Sequence, residues 1–366
     1  MTEQSPLEIE IRRLIGLAGP MPVSEYMGLC LGHPTHGYYV THDPIGSGGD
    51  FITAPEISQM FGELLGLWSA AVWRQMGAPA GVRLIELGPG RGTMMHDMLR
   101  AAHVMPDFRK ALAVDLVETS PVLRQRQQQT LGKLDVAVAW HDALADVPEG
   151  PAIIVANEFF DALPVNQAIK QADGWHDRIV SIDANGDLAF AVAGEALKFF
   201  EQTVPPQVRM AGVGAIYEWR GDGLPLEIGR RVVHGGGGAL IIDYGHAEST
   251  IGDTFQALRG QRRADPLVSP GLADVTAHVD FQALGSAAES IGARVHGPVD
   301  QATLLRRLGI EQRAANLKKV APPDKAAAVD LALARLTASG TTGMGHMFKA
   351  LGLSTPEIAA LPGFEV

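Results

Sequence analysis

The stretch Leu84–Arg100, LIELGPGRGTMMHDMLR, has three glycines at alternate positions between an apolar run and a helical pattern. The apolar run predicts a buried strand that ends at Leu87, and the pattern after the glycines predicts a helix that starts near Thr93. Glycines at such a junction let the backbone turn sharply and approach a ligand closely. This stretch therefore predicts an α/β sheet with a ligand site at its edge.

Four other runs are apolar almost throughout and are separated by helical segments. Such runs are typical of parallel strands covered by helices on both faces. They are AVDLVETS (113–120), DVAVAW (135–140), PAIIVANEF (151–159) and GALIIDYG (238–245), and GHMFKALGLS (345–354) follows as a closing strand. The pattern predicts a doubly wound α/β core.

The segments around these runs predict two regions with additions. Residues 1–79 should form a helical N-terminal cap with a lid loop, including a helix that begins at Pro55 and is closed by Gly77, and residues 80–366 should form the core. The turn DANGD (183–187) indicates an inserted hairpin within a hairpin and helical segment at about 165–235. A helical addition is expected at about 298–340.

Composition limits the function classes. The formal net charge is −11 and the pI is about 5.5, which argues against a nucleic-acid or anionic-membrane surface because both attract clustered Lys and Arg. Cys30 is the only cysteine, and neither a signal peptide nor a membrane span is recognised. These features predict a cytoplasmic protein.

The glycine spacing indicates the ligand. Gly88, Gly90 and Gly92 form GxGxG, which differs from the GxGxxG of dinucleotide sites, and Glu86 stands just before them. An acid at this position suits a ligand with a positively charged amino group and one carboxylate, whereas a pyrophosphate would be repelled. S-adenosylmethionine is such a ligand and is the predicted cofactor.

Acids also follow the next two predicted strands. Glu118 in LVETS is placed to accept hydrogen bonds from both ribose hydroxyls, and Asp142 in WHDAL could accept from the adenine amino group. The alternative for Asp142 is a helix N-cap. The three acids in register favour a nucleoside site.

The fourth strand runs into NEFFDALPV, which contains Asn157, Glu158 and Asp161. The carboxyl end of this strand should face the crevice where ligands lie, so these side chains are candidate catalytic residues that hold a cationic acceptor. The two carboxylates would grip a guanidinium, and Asn157 would orient the acceptor or a water molecule. The alternative is that Glu158 and Asp161 cap a following helix.

Several motifs together resemble the MidA-type family of S-adenosylmethionine-dependent methyltransferases. They are HPTHGYY (33–39), GGDFITAPEISQMFGELLG (48–66), ELGPGRGTMMHDMLR (86–100), NEFFDALPV (157–165), LIIDYG (240–245) and ADVTAHVDF (273–281). The resemblance implies a class I methyltransferase fold with a mostly parallel seven-stranded sheet. It also implies a protein substrate that could be a core subunit of respiratory complex I, with symmetric dimethylation of an arginine and support of complex assembly. A homodimer is compatible with it.

The resemblance also gives a meaning to GGDFITAPE. Phe51 would lie against the cofactor when a lid closes, and Asp50 and Thr53 would offer polar contacts. His36 and Tyr38 are assigned to the same lid, with an ordinary loop as the alternative. The histidines lack partners at metal-ligand spacing, so no metal site is predicted.

Three alternative functions stay open at this point. A nicotinamide dehydrogenase would share the strand order and Glu118, although Glu86 before GxGxG argues against it. A small-molecule methyltransferase and a cofactor-binding assembly chaperone without turnover are equally compatible with the pocket.

Overall fold

A central sheet of seven strands organises the molecule, which is described by a computed structural model for residues 4–41, 53–341 and 343–365. The strands are β1 Val82–Leu87, β2 Leu112–Val117, β3 Val138–His141, β4 Ala152–Asn157, β5 Gly237–His246, β6 Arg294–Asp300 and β7 Phe348–Ser354. Their order is β3-β2-β1-β4-β5-β7-β6, and only β7 is antiparallel to its neighbours. A two-residue strand, Val279–Asp280, pairs in parallel with the end of β5. The predicted α/β class I fold is confirmed.

Alternate residues of the buried strands face two separate hydrophobic cores. Leu84 packs with the helices Gln59–Gln75 and Thr93–Ala101 on one face, and Ile85 packs with the helices Gly223–Gly235 and Phe281–Glu289 on the other. Because both faces are covered by helices, the strands carry apolar residues almost throughout. This burial places the open, polar positions at the carboxyl ends of the strands.

A second sheet joins the N-terminal segment to the insertion. Met21–Pro22 pairs with Gly174–Ile182, and further strands pair beside it: Asn166–Gln171, Leu188–Ala196 and Ile216–Trp219. Tyr26 of the N-terminal segment and Val180 of the insertion share one hydrophobic core. The predicted hairpin at DANGD is present, since Ile182 pairs with Leu188.

Two predicted boundaries of the additions differ from the structure. The helix Gly223–Gly235 packs on the central sheet and therefore does not belong to the insertion, which had been expected to reach about residue 235. A three-stranded sheet of Gln256–Arg259, Arg262–Ala264 and Asp274–Thr276 was not predicted, because short mixed runs give a weak strand signal. The division of the chain at residue 79 stays a prediction.

Two element assignments are also corrected. The single helix expected from Pro55 is interrupted at Ser58, whose φ of −162° is extended and whose hydroxyl accepts a hydrogen bond from the Met60 N–H at 3.2 Å. The helical addition at about 298–340 was predicted to begin where β6 still runs. The Gly297–Pro298 pair in β6 is a turn signal, and this hid the strand.

The other helices flank these sheets, and short 3₁₀ turns lie at Ala102–Val104 and Leu144–Asp146. The helices not yet given are Pro6–Ala18, Val23–Gly32, Tyr38–Thr41, Ala54–Ile57, Pro106–Ala111, Pro121–Leu131, Phe200–Thr203, Pro206–Arg209, Gln301–Arg307, Ile310–Val320, Pro323–Thr337 and Met344–Met347. Across the described residues, every helix falls short of the length and apolar character that crossing a bilayer requires.

Candidate active site

A cavity with about 380 Å³ of empty space, part of it open to solvent, lies at the carboxyl ends of β1 and β4. The described residues that line it come from the glycine loop, the helix Ala54–Ile57 with the residue before it, and the two strand ends. They are Thr53, Pro55, Glu56, Glu86, Gly88, Pro89, Gly90, Arg91, Thr93, Met94, Asn157 and Glu158. The structure thus brings the predicted glycine loop and two of the three predicted catalytic residues to one place.

The glycine loop has the left-handed backbone that its spacing predicted. Gly88, Gly90 and Gly92 have φ values of +63°, +53° and +79°. A Cβ atom on Gly88 would lie 2.5 Å from the Phe159 ring, so only glycine fits there. The loop delivers the chain directly into the helix that begins at Thr93, and it leaves its backbone at the cavity wall.

Glu86 supplies a buried, incompletely paired carboxylate to this cavity. The residue is 2% exposed, and its Oε2 atom has no hydrogen-bond partner among the described residues. Burial, followed by repulsion from Glu118, raises the pKa of Glu86 to about 8, although the Met95 N–H lowers it. A cationic ligand group would satisfy this carboxylate and favour its ionised form.

Glu118 follows β2 and is tied to the glycine loop through Gln127, which the sequence interpretation missed. Gln127 Nε2 donates to Glu118 Oε2 at 3.2 Å and to the Gly90 carbonyl at 2.8 Å, and its Oε1 accepts from Trp140 Nε1 at 2.8 Å. Burial raises the pKa of Glu118, and hydrogen bonds led by that of the Ser120 N–H oppose the rise. Gln127 therefore fixes the two predicted cofactor elements relative to each other.

Asp142 lies apart from this arrangement. Its side chain is 79% exposed and pairs with Arg124 at 2.6 Å, and it is not among the described lining residues of the cavity. The capping alternative also fails, because Ala143 stands at the start of the next 3₁₀ turn and Asp146 caps it. An adenine contact by Asp142 stays a prediction that the cavity itself does not support.

The end of β4 forms a strained turn at the cavity edge. Glu158 has a φ of +50°, a conformation that is unfavourable for a residue with a long side chain. Its Oε1 accepts from the Ala54 N–H at 2.9 Å and from Asn157 Nδ2 at 3.2 Å. Burial raises the pKa of Glu158 to about 7, and Asn157 keeps a buried Oδ1 without a partner among the described residues.

The turn is held by Asp243 in the LIIDYG segment of β5, a second residue that sequence reasoning missed. Asp243 Oδ2 accepts from three successive backbone N–H groups, those of Phe159, Phe160 and Asp161, at 3.0, 2.7 and 3.2 Å. Its Oδ1 accepts from the Tyr244 N–H at 2.8 Å. The segment after Asn157 is therefore a clamped loop, and no helix follows that Glu158 and Asp161 could cap.

Asp161 lies on the far side of this loop from the cavity lining. Burial and repulsion from Asp243, Asp274 and Glu158 raise its pKa well above the usual range of a carboxyl group. Its backbone carbonyl accepts from Arg220 Nη2 at 3.1 Å. Although acids gather here, no three His, Cys, Asp or Glu side chains within residues 4–41, 53–341 and 343–365 are arranged to hold a metal ion.

Arg220 of the insertion is a third functional candidate without a sequence signal. Its guanidinium donates to four backbone carbonyls, those of Asp161, Leu163, Ala277 and His278, at 2.7 to 3.1 Å. It therefore joins the NEFFDALPV loop to the ADVTAHVDF segment, and both segments belong to motifs in the sequence.

Replacing Asp243 by Asn should destabilise the protein. The amide would place a donor against backbone N–H donors, and the loss of charge-assisted hydrogen bonds should lower the free energy of unfolding by about 2 to 3 kcal/mol. Urea unfolding at neutral pH measures this. The exposed Asp107→Asn is the control and should change the free energy by less than about 0.5 kcal/mol. Equal values for the two variants would contradict a clamp.

The predicted lid residues fall into three groups. Thr53 lines the cavity, and the neighbouring Glu56, which was not predicted, accepts from the Thr93 hydroxyl at 2.6 Å. Tyr38 is 1% exposed in the core of the N-terminal segment, so its side chain is not open to a substrate. The His36 N–H donates to His33 Nδ1 at 3.1 Å within a turn. The predicted Asp50 and Phe51 lie outside the described residues.

The fold and the site together define a class I methyltransferase that uses S-adenosylmethionine. The residues present fit this cofactor, because Glu86 offers an unpartnered buried carboxylate to its ammonium group and the glycine loop leaves room for close approach. Glu118 stands where ribose hydroxyls are bound in folds of this type.

The chain belongs to the MidA-type family of S-adenosylmethionine-dependent methyltransferases. A family described as "Putative S-adenosyl-L-methionine-dependent methyltransferase" matches residues 64–299. The protein arginine methyltransferase NDUFAF7 homolog of Drosophila melanogaster, named mitochondrial, is 37% identical over 96% of this chain and 85% of its own length. The human protein arginine methyltransferase NDUFAF7, also named mitochondrial, is 37% identical over 85% of this chain and 75% of its own.

A solved structure agrees with this assignment. A protein from Burkholderia thailandensis, crystallised with bound S-adenosyl-homocysteine, is 31% identical, covers 98% of this chain and 94% of its own, and has a TM-score of 0.85. This similarity supports both the fold and the predicted cofactor.

The prediction of a cytoplasmic protein is wrong by these comparisons, because the curated relatives are named mitochondrial. The prediction used one cysteine and the lack of a recognised signal peptide. Neither feature separates one reducing compartment from another, so the composition could not decide the location.

Proposed function

We propose that this methyltransferase modifies an arginine side chain of a protein substrate. The observation that carries the proposal is the clamped loop after β4, which presents Glu158 at the cofactor cavity and Asp161 just beyond it. The names of the relatives, protein arginine methyltransferases, support the same acceptor.

The residues of the loop suit a guanidinium. An arginine has a pKa above about 12, so it enters the site charged and binds best to carboxylates. Glu158 and Asp161 would hold it from two sides, and the unpartnered Asn157 Oδ1 would accept a hydrogen bond from it or from a water molecule. Both carboxylates are poised to take up a proton, because burial has raised their pKa values.

The bound cofactor would supply an electrophilic methyl group. The chain itself needs to align the acceptor nitrogen, exclude water and accept the proton that this nitrogen loses. The clamp by Asp243 fixes the loop, so alignment is built into the fold before the substrate arrives.

The finer proposals follow the family resemblance. They are that the acceptor belongs to a core subunit of respiratory complex I, that the product is symmetric dimethylarginine, and that the chain supports assembly of the complex. A homodimer is proposed as well, and light scattering of the purified protein would show its mass.

Mass spectrometry tests the acceptor. Purified protein is incubated with isotope-labelled S-adenosylmethionine and an extract from cells that lack it, and labelled peptides are sequenced. Label on arginine supports the proposal, and the fragment ions distinguish symmetric from asymmetric dimethylation. Label confined to small molecules would replace a protein acceptor by a small one. Cofactor binding without any label would favour a chaperone.

A further inference from the structure

The cofactor cavity has an excess of acidic side chains. Glu56, Glu86 and Glu158 line it from three different elements, and Arg91 is the cation among its described lining residues. Two of these carboxylates are anchored at the wall, since Glu56 accepts from the Thr93 hydroxyl at 2.6 Å and Glu158 from the Ala54 N–H at 2.9 Å. The acids are therefore held in place around the empty space.

Cofactor and product differ in charge at one atom. S-adenosylmethionine carries a sulfonium, an ammonium and a carboxylate, whereas S-adenosylhomocysteine has a neutral thioether in place of the sulfonium. One carboxylate, that of Glu86, is enough for the ammonium that both molecules share. Glu56 and Glu158 remain as negative charges at the same cavity, where a cation is stabilised and a neutral group is not.

We infer that Glu56 and Glu158 are specificity-determining residues that make the cavity bind the sulfonium cofactor more tightly than the thioether product. The enzyme then releases its product readily and is only weakly inhibited by it. The inference rests on the methyltransferase assignment and is independent of arginine as the acceptor.

The ionisation of the cavity acids sets the pH at which this preference appears. The other charged groups that act on them or line the cavity are Arg91, Glu118, Asp161, Asp243 and Arg335. Burial holds the pKa of Glu158 at about 7. A cation favours the ionised form, so the preference for the sulfonium should strengthen as the pH rises through this value and should level off above it.

Calorimetric titration without acceptor tests the inference with three ligands. They are the cofactor, the product and sinefungin, an analogue with a protonated amine in place of the sulfonium methyl group. At pH 8 the product should bind wild type at least about tenfold more weakly than the cofactor, and sinefungin should follow the cofactor. At pH 6 the ratio of product Kd to cofactor Kd should be smaller.

Two variants and one control locate the effect. Glu56→Gln and Glu158→Gln should each lower the ratio by about three- to tenfold. Asp161→Asn removes a carboxylate that is outside the described cavity lining, and its ratio should equal that of wild type. A wild-type ratio near one at pH 8, or unchanged ratios in both glutamine variants, would overturn the inference. The proposed arginine acceptor would be untouched by that result, because no acceptor is present.

Discussion

Gly90→Val abolishes cofactor binding in our expectation, while the circular dichroism spectrum stays native. Gly90 lines the cavity and its backbone has a φ of +53°. A β-branched side chain there would project at the face where the ligand must come within contact distance, and in the left-handed region it costs about 1 to 2 kcal/mol. Calorimetry with S-adenosylmethionine should show no heat of binding at millimolar concentrations.

Gly186→Val separates the loss of space from backbone strain. Gly186 also has a positive φ, +85°, but it lies in the hairpin turn of the insertion with nothing within 4 Å of an added Cβ atom. This variant should bear similar strain and keep full cofactor affinity. If both variants bind the cofactor as wild type does, the glycine loop is not the cofactor site.

Asp161→Asn should lower methylation of an arginine-bearing protein by two or more orders of magnitude, about the effect of removing preorganised charge at a reacting group. Because Asp161 is outside the described cavity lining, cofactor affinity should stay near the wild-type value. Glu158→Gln should lower methylation to a similar extent, and it should also weaken cofactor binding relative to the product because Glu158 lines the cavity.

Melting temperatures distinguish a functional Asp161 from a structural one. Its raised pKa means that the folded protein disfavours the ionised carboxylate, so ionisation at neutral pH reduces stability. A neutral Asn should therefore leave the melting temperature unchanged or raise it while activity falls. The exposed Asp187→Asn is the control and should change neither quantity. Near-normal turnover with a lower melting temperature in Asp161→Asn would make Asp161 structural.

Local patterns were sufficient for much of the fold and for the centre of the site. The apolar runs predicted the strands from β1 to β5 and the closing β7, because strands covered on both faces must be apolar throughout. Turn chemistry predicted the glycine loop, whose three positive φ values need glycine. Glu86 and Glu158 were recognised because they follow such runs, where parallel strands of a sheet meet a crevice.

Other site residues could be predicted only partly. Glu118 and Asp142 each follow a strand in the same way, yet Glu118 is buried beside Gln127 whereas Asp142 pairs with Arg124 in solvent. The sequence gives the strand end but not the direction in which the next turn points the side chain. Tyr38 in HPTHGYY is likewise buried by packing against distant segments.

The sequence by itself determined the order of strands and helices, the glycine loop and the family, since each depends on residues close together in the chain. Only the tertiary structure decided how the acceptor loop is held. Asp243 binds backbone groups 82 to 84 residues away, and Arg220 of the insertion donates to two separate motifs. Such hydrogen bonds leave no periodic signal in a sequence, because their partners become neighbours only after the central sheet and the insertion have packed together.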